Sequence, residues 1–226
     1  MDAIEKMIDR YGPAAVCDAL APLLTPERIA RIDQVIDARL ASVAAAVEDT
    51  YDPHNAAATL RTCEALGLQE LYVIEPGERF SAAKGVTRGA HRWLDLHRFS
   101  DAGAAISDLK TRGFRVFATL PDATQSIEDV AVDSPLAVVF GNEHDGVSPA
   151  VVAACDGALT VPMFGFTESY NLSVTVGLCM SRLVARRRAY IGALGDLDPT
   201  RKARLRARWF ALRIRAAVNI VDRKLA

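Results

Sequence analysis

The segments PLAVVFGNEHDGVS, at residues 135–148, and LTVPMFGFTESYNLSVTVGLCM, at residues 159–180, decide the fold. Within the first segment, Leu136 to Phe140 is a continuous apolar run that is rich in valine and ends at Gly141. A run of this length and composition predicts a strand that is buried on both faces, as in a parallel sheet covered by helices.

A second predicted strand ends in a similar way. It covers Ala158 to Val161 and is followed by PMFG at residues 162–165 and by the polar turn TESYN at residues 167–171, after which an apolar helix is expected. Ligands bind at the carboxyl ends of the strands in open α/β sheets. Two glycine-bearing strand ends, close together in sequence, therefore predict one pocket built from backbone groups and a few polar side chains.

The rest of the chain alternates between strand and helix patterns, which predicts an α/β fold with a largely parallel sheet. Asp52-Pro53 is a typical helix start, and Gly67 is a typical helix end. Helices are also predicted after Asp101 and Pro149, and residues 75–89 are predicted to be a loop with or without a helix. The remaining strands are predicted at residues 42–47, 71–74, 93–96 and 114–120.

Both ends of the chain are predicted to be helical. Residues 2–21 form short helices broken at Gly12-Pro13, and Thr25-Pro26-Glu27 begins a helix that runs to about Leu40. A single helix is predicted from Asp198 to Ala226, with an apolar stripe that packs on the body of the protein or on a partner subunit. That stripe consists of Leu205, Trp209, Leu212 and Ala216.

The composition favours a cytoplasmic protein with reduced thiols. Half of the 226 residues are hydrophobic, which is enough for a sizeable core, yet no apolar run approaches the ~20 residues that a membrane span requires. The N-terminal MDAIEKMIDR lacks the apolar centre of a signal peptide, and the four cysteines form no CxxC pair. We therefore expect no disulfide and no membrane partner.

The charge is distributed unevenly along the chain. Residues 182–226 contain 13 lysines and arginines against 3 acidic residues, although the net charge of the whole chain is −1. A basic tail on an acidic body suggests a polyanionic partner, and a solvated helix face explains the same composition equally well.

Several common chemistries lack their sequence signatures. No GxGxxG follows an early strand and no GxxxxGK[ST] is present, which argues against a Rossmann dinucleotide site and a P-loop. The four histidines have no metal-ligand spacing, so we predict no metal site. The two glycine-rich strand ends still require an explanation.

Three segments together resemble the motifs of one family. They are NAAATLRTCEALG at residues 55–67, FGNEHDGVS at residues 140–148 and VPMFGFTESYNLS at residues 161–173. In order and spacing they resemble the three motifs of the SpoU class of RNA ribose 2′-O-methyltransferases, within the SPOUT superfamily. Tyr170 and Leu172 depart mildly from the family pattern, where leucine and valine are usual.

The resemblance implies a fold, a reaction and partners. The fold is a SPOUT methyltransferase domain whose parallel sheet contains a C-terminal trefoil knot, here at residues 41–190 between an N-terminal helical extension (1–40) and a basic C-terminal helix (191–226). The implied reaction transfers a methyl group from S-adenosylmethionine to RNA, in a homodimer. The flanking helices resemble those of the TrmH type, which implies the D-loop guanosine at position 18 of tRNA. The alternatives are another tRNA position, ribosomal RNA, or an inactive RNA-binding module.

The resemblance also assigns site residues. Gly141 and Gly165 would let the backbone approach the cofactor, although turn glycines are common. For most of the cofactor-pocket candidates, ordinary core packing is the alternative; for Ser169 and Asn55 it is helix capping. The implied cofactor-binding residues are Thr119, Leu120, Gly141, Val161, Met163, Tyr170 and Leu172. The implied catalytic residues are Arg61, Asn55, Glu143, Ser169 and Asn171.

Arg61 is the strongest single candidate, and we expect it to act as a charged group. Removing its proton near neutral pH would require a shift of roughly 6 pKa units, or about 8 kcal/mol. A charged guanidinium that clamps a phosphate and stabilises the developing alkoxide avoids this cost. We expect Glu143 to orient nearby backbone or the Asn55 amide. Candidate RNA contacts are Arg10, the C-terminal arginines, Arg79, Lys84, Arg88, Arg92 and Arg98.

Overall fold

The structure, a computed structural model, describes residues 3–50, 52–75 and 89–226. The described chain divides into two compact units: residues 3–39 with Leu194–Ala226, and Leu40–Ala193. The division made from the sequence has similar boundaries, but it treats the two terminal segments as separate extensions. In the structure these two segments form a single unit.

Strands and helices largely alternate along the larger unit, as the sequence predicts, although two successive strands have no helix between them. The strands are β1 (Leu40–Glu48), β2 (Leu68–Ile74), β3 (Asp95–Phe99), β4 (Arg115–Thr119), β5 (Leu136–Phe140) and β6 (Gly157–Leu159). The helices are α1 (Ala3–Tyr11), α2 (Pro13–Leu20), α3 (Pro26–Asp37), α4 (Pro53–Leu66), α5 (Ala102–Thr111), α6 (Pro149–Ala154), α7 (Leu172–Ile191), α8 (Pro199–Arg213) and α9 (Ala217–Leu225), with 3₁₀ turns at Ala21–Leu23 and Ala90–Arg92.

The six strands form one sheet in the order β3-β2-β1-β5-β4-β6, and every neighbouring pair is parallel. The predicted α/β class with a parallel sheet is therefore confirmed. Two predicted strands are displaced: β3 begins two residues later than expected, and β6 ends two residues earlier. Both are edge strands, where pairing on one side only leaves the ends of a strand weakly determined by sequence.

The central strands are apolar because helices cover both faces of the sheet. All five residues of β5 are buried. On one face the core joins α4 and α7 to the sheet through residues such as Leu60 and Met180. On the other face, Leu109 of α5 and Val151 of α6 belong to a second buried cluster. This double cover explains why β5 shows a continuous apolar run instead of alternation.

The parallel register places the carboxyl ends of three strands side by side. Ala118 of β4 pairs with Val139 of β5, and Thr119 of β4 pairs with Leu159 of β6. The loops that follow β4, β5 and β6 therefore leave the sheet at one edge. This is the edge at which the sequence predicts a pocket.

The segment after β4 is held by hydrogen bonds to α7 and to the residue after β6. Arg186 of α7 donates hydrogen bonds to the carbonyls of Ile127 and Val130, at 2.8 and 2.6 Å. The Ile127 amide donates to the carbonyl of Thr160 at 2.9 Å. Arg186 belongs to the basic C-terminal segment of the sequence, but it serves the internal structure of the larger unit. The trefoil knot implied by the resemblance stays a prediction.

The terminal unit differs from its prediction in the C-terminal helix. The chain forms two helices, α8 and α9, because Ile214 after α8 is extended and Ala216 before α9 is left-handed, with φ of 57°. Ala216 is exposed and is not part of the buried stripe, whereas Leu205 and Trp209 are buried as expected. Helix α3 ends at Asp37, earlier than predicted, and the break at Gly12-Pro13 is confirmed.

Several basic residues of α8 pair with acidic residues of the N-terminal segment inside the terminal unit. Arg204 donates to Glu5 at 2.9 Å and to Asp9 at 2.7 Å, and Arg206 contacts both carboxylate oxygens of Asp33 at 2.6 and 3.0 Å. Lys202 pairs with Asp37 at 2.6 Å in the same way. These pairs offset much of the positive charge of α8 inside the protein, and the RNA contacts expected of the C-terminal arginines stay a prediction. No helix in the described ranges has the length and apolar character needed to cross a bilayer.

Candidate active site

A cleft of about 370 Å³ lies at the carboxyl ends of β4, β5 and β6. Its walls come from the ends of β4 to β6, the loop after β5, and the segment that leads into α7. All seven residues predicted to bind the cofactor line this cleft, as do two of the predicted catalytic residues, Glu143 and Ser169. The structure thus brings together residues from two of the three motifs around one cavity.

The loop after β5 is closed by its own backbone. Asn142 and Gly146 pair across the loop, with the Asn142 amide donating to the Gly146 carbonyl at 3.1 Å. The Asn142 side-chain oxygen accepts hydrogen bonds from the amides of His144 and Asp145, at 2.8 and 2.7 Å. A Cβ atom on Gly141 would lie within 3.0 Å of backbone atoms of Gly146 and Val147. Gly141 is therefore required by the folded loop itself, before any cofactor is considered.

Glu48, at the end of β1, anchors the far end of this loop. Its carboxylate accepts hydrogen bonds from the amide and the hydroxyl of Ser148, at 2.8 and 2.6 Å. Ser148 also caps α6 by accepting from the Val151 amide. Neither Glu48 nor Asn142 is among the site residues predicted from the sequence. The NxxDG pattern of an Asx turn was a usable signal for Asn142, but no sequence signal connects Glu48 with a serine 100 residues away.

A chain of hydrogen bonds joins the three motifs. The Asn55 amide nitrogen donates to Glu143 at 2.6 Å, and the Asn171 amide nitrogen donates to the Asn55 oxygen at 3.1 Å. Asn171 caps α7 by accepting from the Ser173 amide, while Asp52 caps α4 by accepting from the His54 amide. Glu143 therefore contacts the Asn55 amide as expected.

The capping alternatives proposed for Asn55 and Ser169 are wrong. Other residues hold both caps, so neither side chain is explained by the end of a helix. Asn55 is buried in the first turn of α4, and Ser169 lines the cleft. A catalytic role for either residue stays a prediction.

The contact between Asn55 and Glu143 leads to a prediction about the free energy of unfolding. The isosteric substitution Asn55→Asp should lower the free energy of unfolding by about 1–2 kcal/mol at pH 8, because it places two carboxylates within hydrogen-bonding distance. The repulsion raises the pKa of the pair in the folded state, so the deficit should shrink as the pH falls and one carboxyl group takes up a proton. Urea unfolding at pH 8 and pH 5 measures both effects.

The double variant Asn55→Asp with Glu143→Gln is the matched control. Its new glutamine amide can donate to the new carboxylate at position 55 in the reverse direction, while Asn171 continues to donate, so most of the stability should return. Equal instability of the single and double variants would show that the contact has no part in the loss.

Arg61 does not line the cleft of its own chain. It is exposed on α4 and borders a second surface depression, together with Trp93. Its guanidinium makes no hydrogen bond or ion pair with residues of the described ranges. Gly165 is also absent from the cleft walls; it is exposed, and the atom nearest to an added Cβ would be 4.0 Å away.

The other RNA candidates on the larger unit are only partly described. Arg92 and Arg98 are exposed at or near β3, and Arg98 contacts Glu75 at 3.4 Å. Arg79, Lys84 and Arg88 lie outside the described residues, as does most of the predicted loop at residues 75–89.

Two buried cysteines of the larger unit are poor candidates for nucleophilic catalysis. Burial raises the pKa of Cys63 on α4 and of Cys179 on α7 to about 12. Both thiols are therefore protonated near neutral pH and are poor nucleophiles. Among the described residues, no group of three or more histidine, cysteine or acidic side chains is arranged to hold a metal ion.

The parallel sheet, the cleft at its carboxyl edge and the hydrogen-bonded motifs agree with the family that the chain matches. Residues 42–181 match the SpoU rRNA Methylase family, and the chain belongs to that family. It is 35% identical to a tRNA (guanosine(18)-2′-O)-methyltransferase of Borreliella burgdorferi, over 84% of this chain and 88% of the relative. It is 34% identical to the enzyme of the same name from Thermus thermophilus, over 82% of this chain and 96% of that protein.

Solved structures show the same architecture. The A. aeolicus TrmH/SpoU tRNA modifying enzyme superposes with a TM-score of 0.76 at 26% identity, over 84% of this chain and 98% of that chain. The SpoU methyltransferase AviRb from Streptomyces viridochromogenes, in complex with AdoMet, superposes with a TM-score of 0.58 at 22% identity, over 64% and 57% of the two chains. The second comparison supports the fold alone.

Proposed function

We propose that this protein transfers a methyl group from S-adenosylmethionine to a ribose 2′-hydroxyl of RNA, at the guanosine in position 18 of the tRNA D-loop. The observation that carries the proposal is the hydrogen-bonded set Glu143, Asn55 and Asn171, which joins all three motifs beside the cleft. Two relatives named for this reaction align with more than four fifths of the chain.

The cleft suits S-adenosylmethionine in size and in chemistry. Its volume lies in the range of small-molecule sites. Leu120, Val161 and Leu172 offer apolar surface to an adenine ring, and Glu143 and Asp145 place carboxylates on the wall, which favours a positively charged ligand. When bound, S-adenosylmethionine supplies a methyl group that its positive sulfonium has already activated.

The protein's task is then to hold the ribose and to stabilise charge. We assign Arg61 to an RNA phosphate next to the target ribose, where the planar guanidinium can bind two oxygens. Its position on the exposed side of α4 supports the phosphate contact better than a direct contact with the cofactor. The same positive charge stabilises the alkoxide that develops on the 2′-oxygen, and a phosphate or water accepts the proton.

We also propose that the protein acts as a homodimer. Phe164 and Phe166 are essentially fully exposed, at 98% and 108% of their reference areas, in the loop between β6 and α7. Val174 and Tyr170, close by in sequence, are 47% and 40% exposed. Apolar side chains concentrated beside a cleft favour burial against a second copy of the chain. Sedimentation equilibrium of the protein should give twice the chain mass of 24.4 kDa.

Transfer of a tritium-labelled methyl group into unmodified tRNA tests the activity. We expect label at the guanosine in position 18, and none when that nucleotide carries a 2′-deoxyribose. Label at another ribose of tRNA or in ribosomal RNA would overturn the choice of target. The absence of both methyl transfer and S-adenosylmethionine binding would leave an RNA-binding module and overturn the proposal. A cytoplasmic location follows from a tRNA substrate.

A further inference from the structure

The second surface depression, beside α4, has a volume of about 540 Å³ and lies apart from the cofactor cleft, with which it shares no lining residue. Its described walls come from α4 and from the 3₁₀ turn Ala90–Arg92 with the residue after it. The residues that line it are Ala58, Arg61, Thr62, Glu64, Ala65, Ala90 and Trp93.

The α4 wall of this depression is formed by one face of the helix. Ala58, Arg61, Thr62 and Ala65 fall at helical spacings of three and four, so they share one face of α4. The two alanines expose little more than backbone and a methyl group between the longer side chains. Trp93 closes the side formed by the 3₁₀ turn, which packs against α4. The depression is therefore lined by small side chains of α4 together with Arg61 and Trp93.

We propose that this depression binds an unstacked base of the RNA substrate, which stacks on Trp93 while Arg61 holds an adjoining phosphate. Unpaired loop bases are recognised in this way by aromatic side chains together with arginine. The inference rests on the proposed function, and it adds a base-binding site and a residue, Trp93, to the phosphate contact assigned to Arg61.

The position along α4 fits a nucleotide near the one that is methylated. Asn55, which contacts Glu143 in the cleft, precedes Arg61 by six residues, a rise of about 9 Å along the helix. Six residues also turn the helix by about 240°, so an RNA strand with one ribose in the cleft has to pass around α4 and reaches the depression with a nucleotide one or two positions away. Thr62 supplies a polar group toward the edge of a base.

The experiment compares the wild-type protein with Trp93→Phe and Trp93→Leu. Leucine retains an apolar side chain but removes the ring, and phenylalanine keeps a ring that can stack. We expect Trp93→Leu to raise the KM for tRNA about tenfold, in line with the strength of base stacking, and Trp93→Phe to change it by about twofold or less. The Kd for S-adenosylmethionine should stay at the wild-type value in both variants.

Tryptophan fluorescence tests the same contact without catalysis and without relying on the folding of the leucine variant. The chain has two tryptophans, so emission that is lost in Trp93→Phe belongs to Trp93. We expect tRNA to quench the wild-type protein and to leave Trp93→Phe unchanged.

Failure of the base-binding proposal and failure of the proposed function would give different results. If the wild-type protein methylates tRNA while Trp93→Leu keeps the wild-type KM, or while tRNA fails to quench Trp93, the base-binding depression is overturned and the proposed function stands. If the wild-type protein transfers no methyl group to RNA, the proposed function itself is overturned.

Discussion

Replacement of Gly141 by alanine is expected to lower the affinity for S-adenosylmethionine by about 100-fold or more. The added Cβ would lie within 3.0 Å of backbone atoms of Gly146 and Val147, and backbone cannot move aside as the end of a flexible side chain can. The loop would have to give up the pairing between Asn142 and Gly146, and with it the wall of the cleft. Calorimetric titration of the cofactor measures the loss, and thermal unfolding reports the accompanying destabilisation.

Gly177→Ala is the matched control for this prediction. Gly177 lies within α7, where an added Cβ has no neighbour within 4 Å, and alanine is the better helix former by about 1 kcal/mol. The control should bind the cofactor as the wild-type protein does and should be at least as stable. Wild-type affinity in Gly141→Ala would mean that the closed loop is unnecessary for the cleft.

The parts of the fold that sequence predicts well are those in which local chemistry and tertiary packing agree. The run Leu136–Phe140 is apolar throughout because both of its faces are covered, and Gly141 follows it because the loop folds back upon it. The pocket was predictable because the ends of parallel strands meet at one edge of a sheet. Its seven expected residues came from the resemblance: five lie at or just after strand ends, and Tyr170 and Leu172 lie at the start of α7.

Long-range polar pairing accounts for what the sequence does not reveal. Glu48 accepts from Ser148 through contacts that only the folded sheet creates. The arginines of α8 look like a free cationic surface until Glu5, Asp9 and Asp33 are placed beside Arg204 and Arg206. The break between α8 and α9, with an extended Ile214 and a left-handed Ala216, likewise occurs without the glycine that often signals a helix end.

Sequence and structure give different information about Arg61. The resemblance marks it as catalytic, while the structure places it outside the cofactor cleft of its own chain. This position favours a contact with the RNA over a contact with the cofactor bound in the cleft of the same chain. Substitution of Arg61 should therefore change catalysis and RNA binding while leaving the cofactor's affinity unchanged.

Arg61→Lys is expected to reduce kcat/KM for tRNA by about 100-fold or more, although the positive charge remains. Lysine offers a point charge in place of the planar fork, so it cannot bind two phosphate oxygens and fix the ribose at the same time. A 100-fold loss corresponds to about 2.7 kcal/mol of transition-state stabilisation, the scale of one lost donor in a preorganised site. Single-turnover methyl transfer measures the chemical step, and calorimetry should give an unchanged Kd for S-adenosylmethionine.

Arg115→Lys supplies the same change of side chain at the opposite end of the sheet. Arg115 begins β4, whereas the cleft lies at the carboxyl end of that strand, and its guanidinium pairs with Asp133 at 3.0 Å. Methyl transfer should therefore remain close to wild type in this variant, even if some stability is lost. Near-wild-type transfer by Arg61→Lys would contradict the phosphate clamp, because charge without the planar fork would then be sufficient. A weaker Kd for S-adenosylmethionine in Arg61→Lys would instead indicate that the guanidinium contacts a cofactor cleft. Because Arg61 does not line the cleft of its own chain, that cleft would belong to the partner subunit of the proposed homodimer.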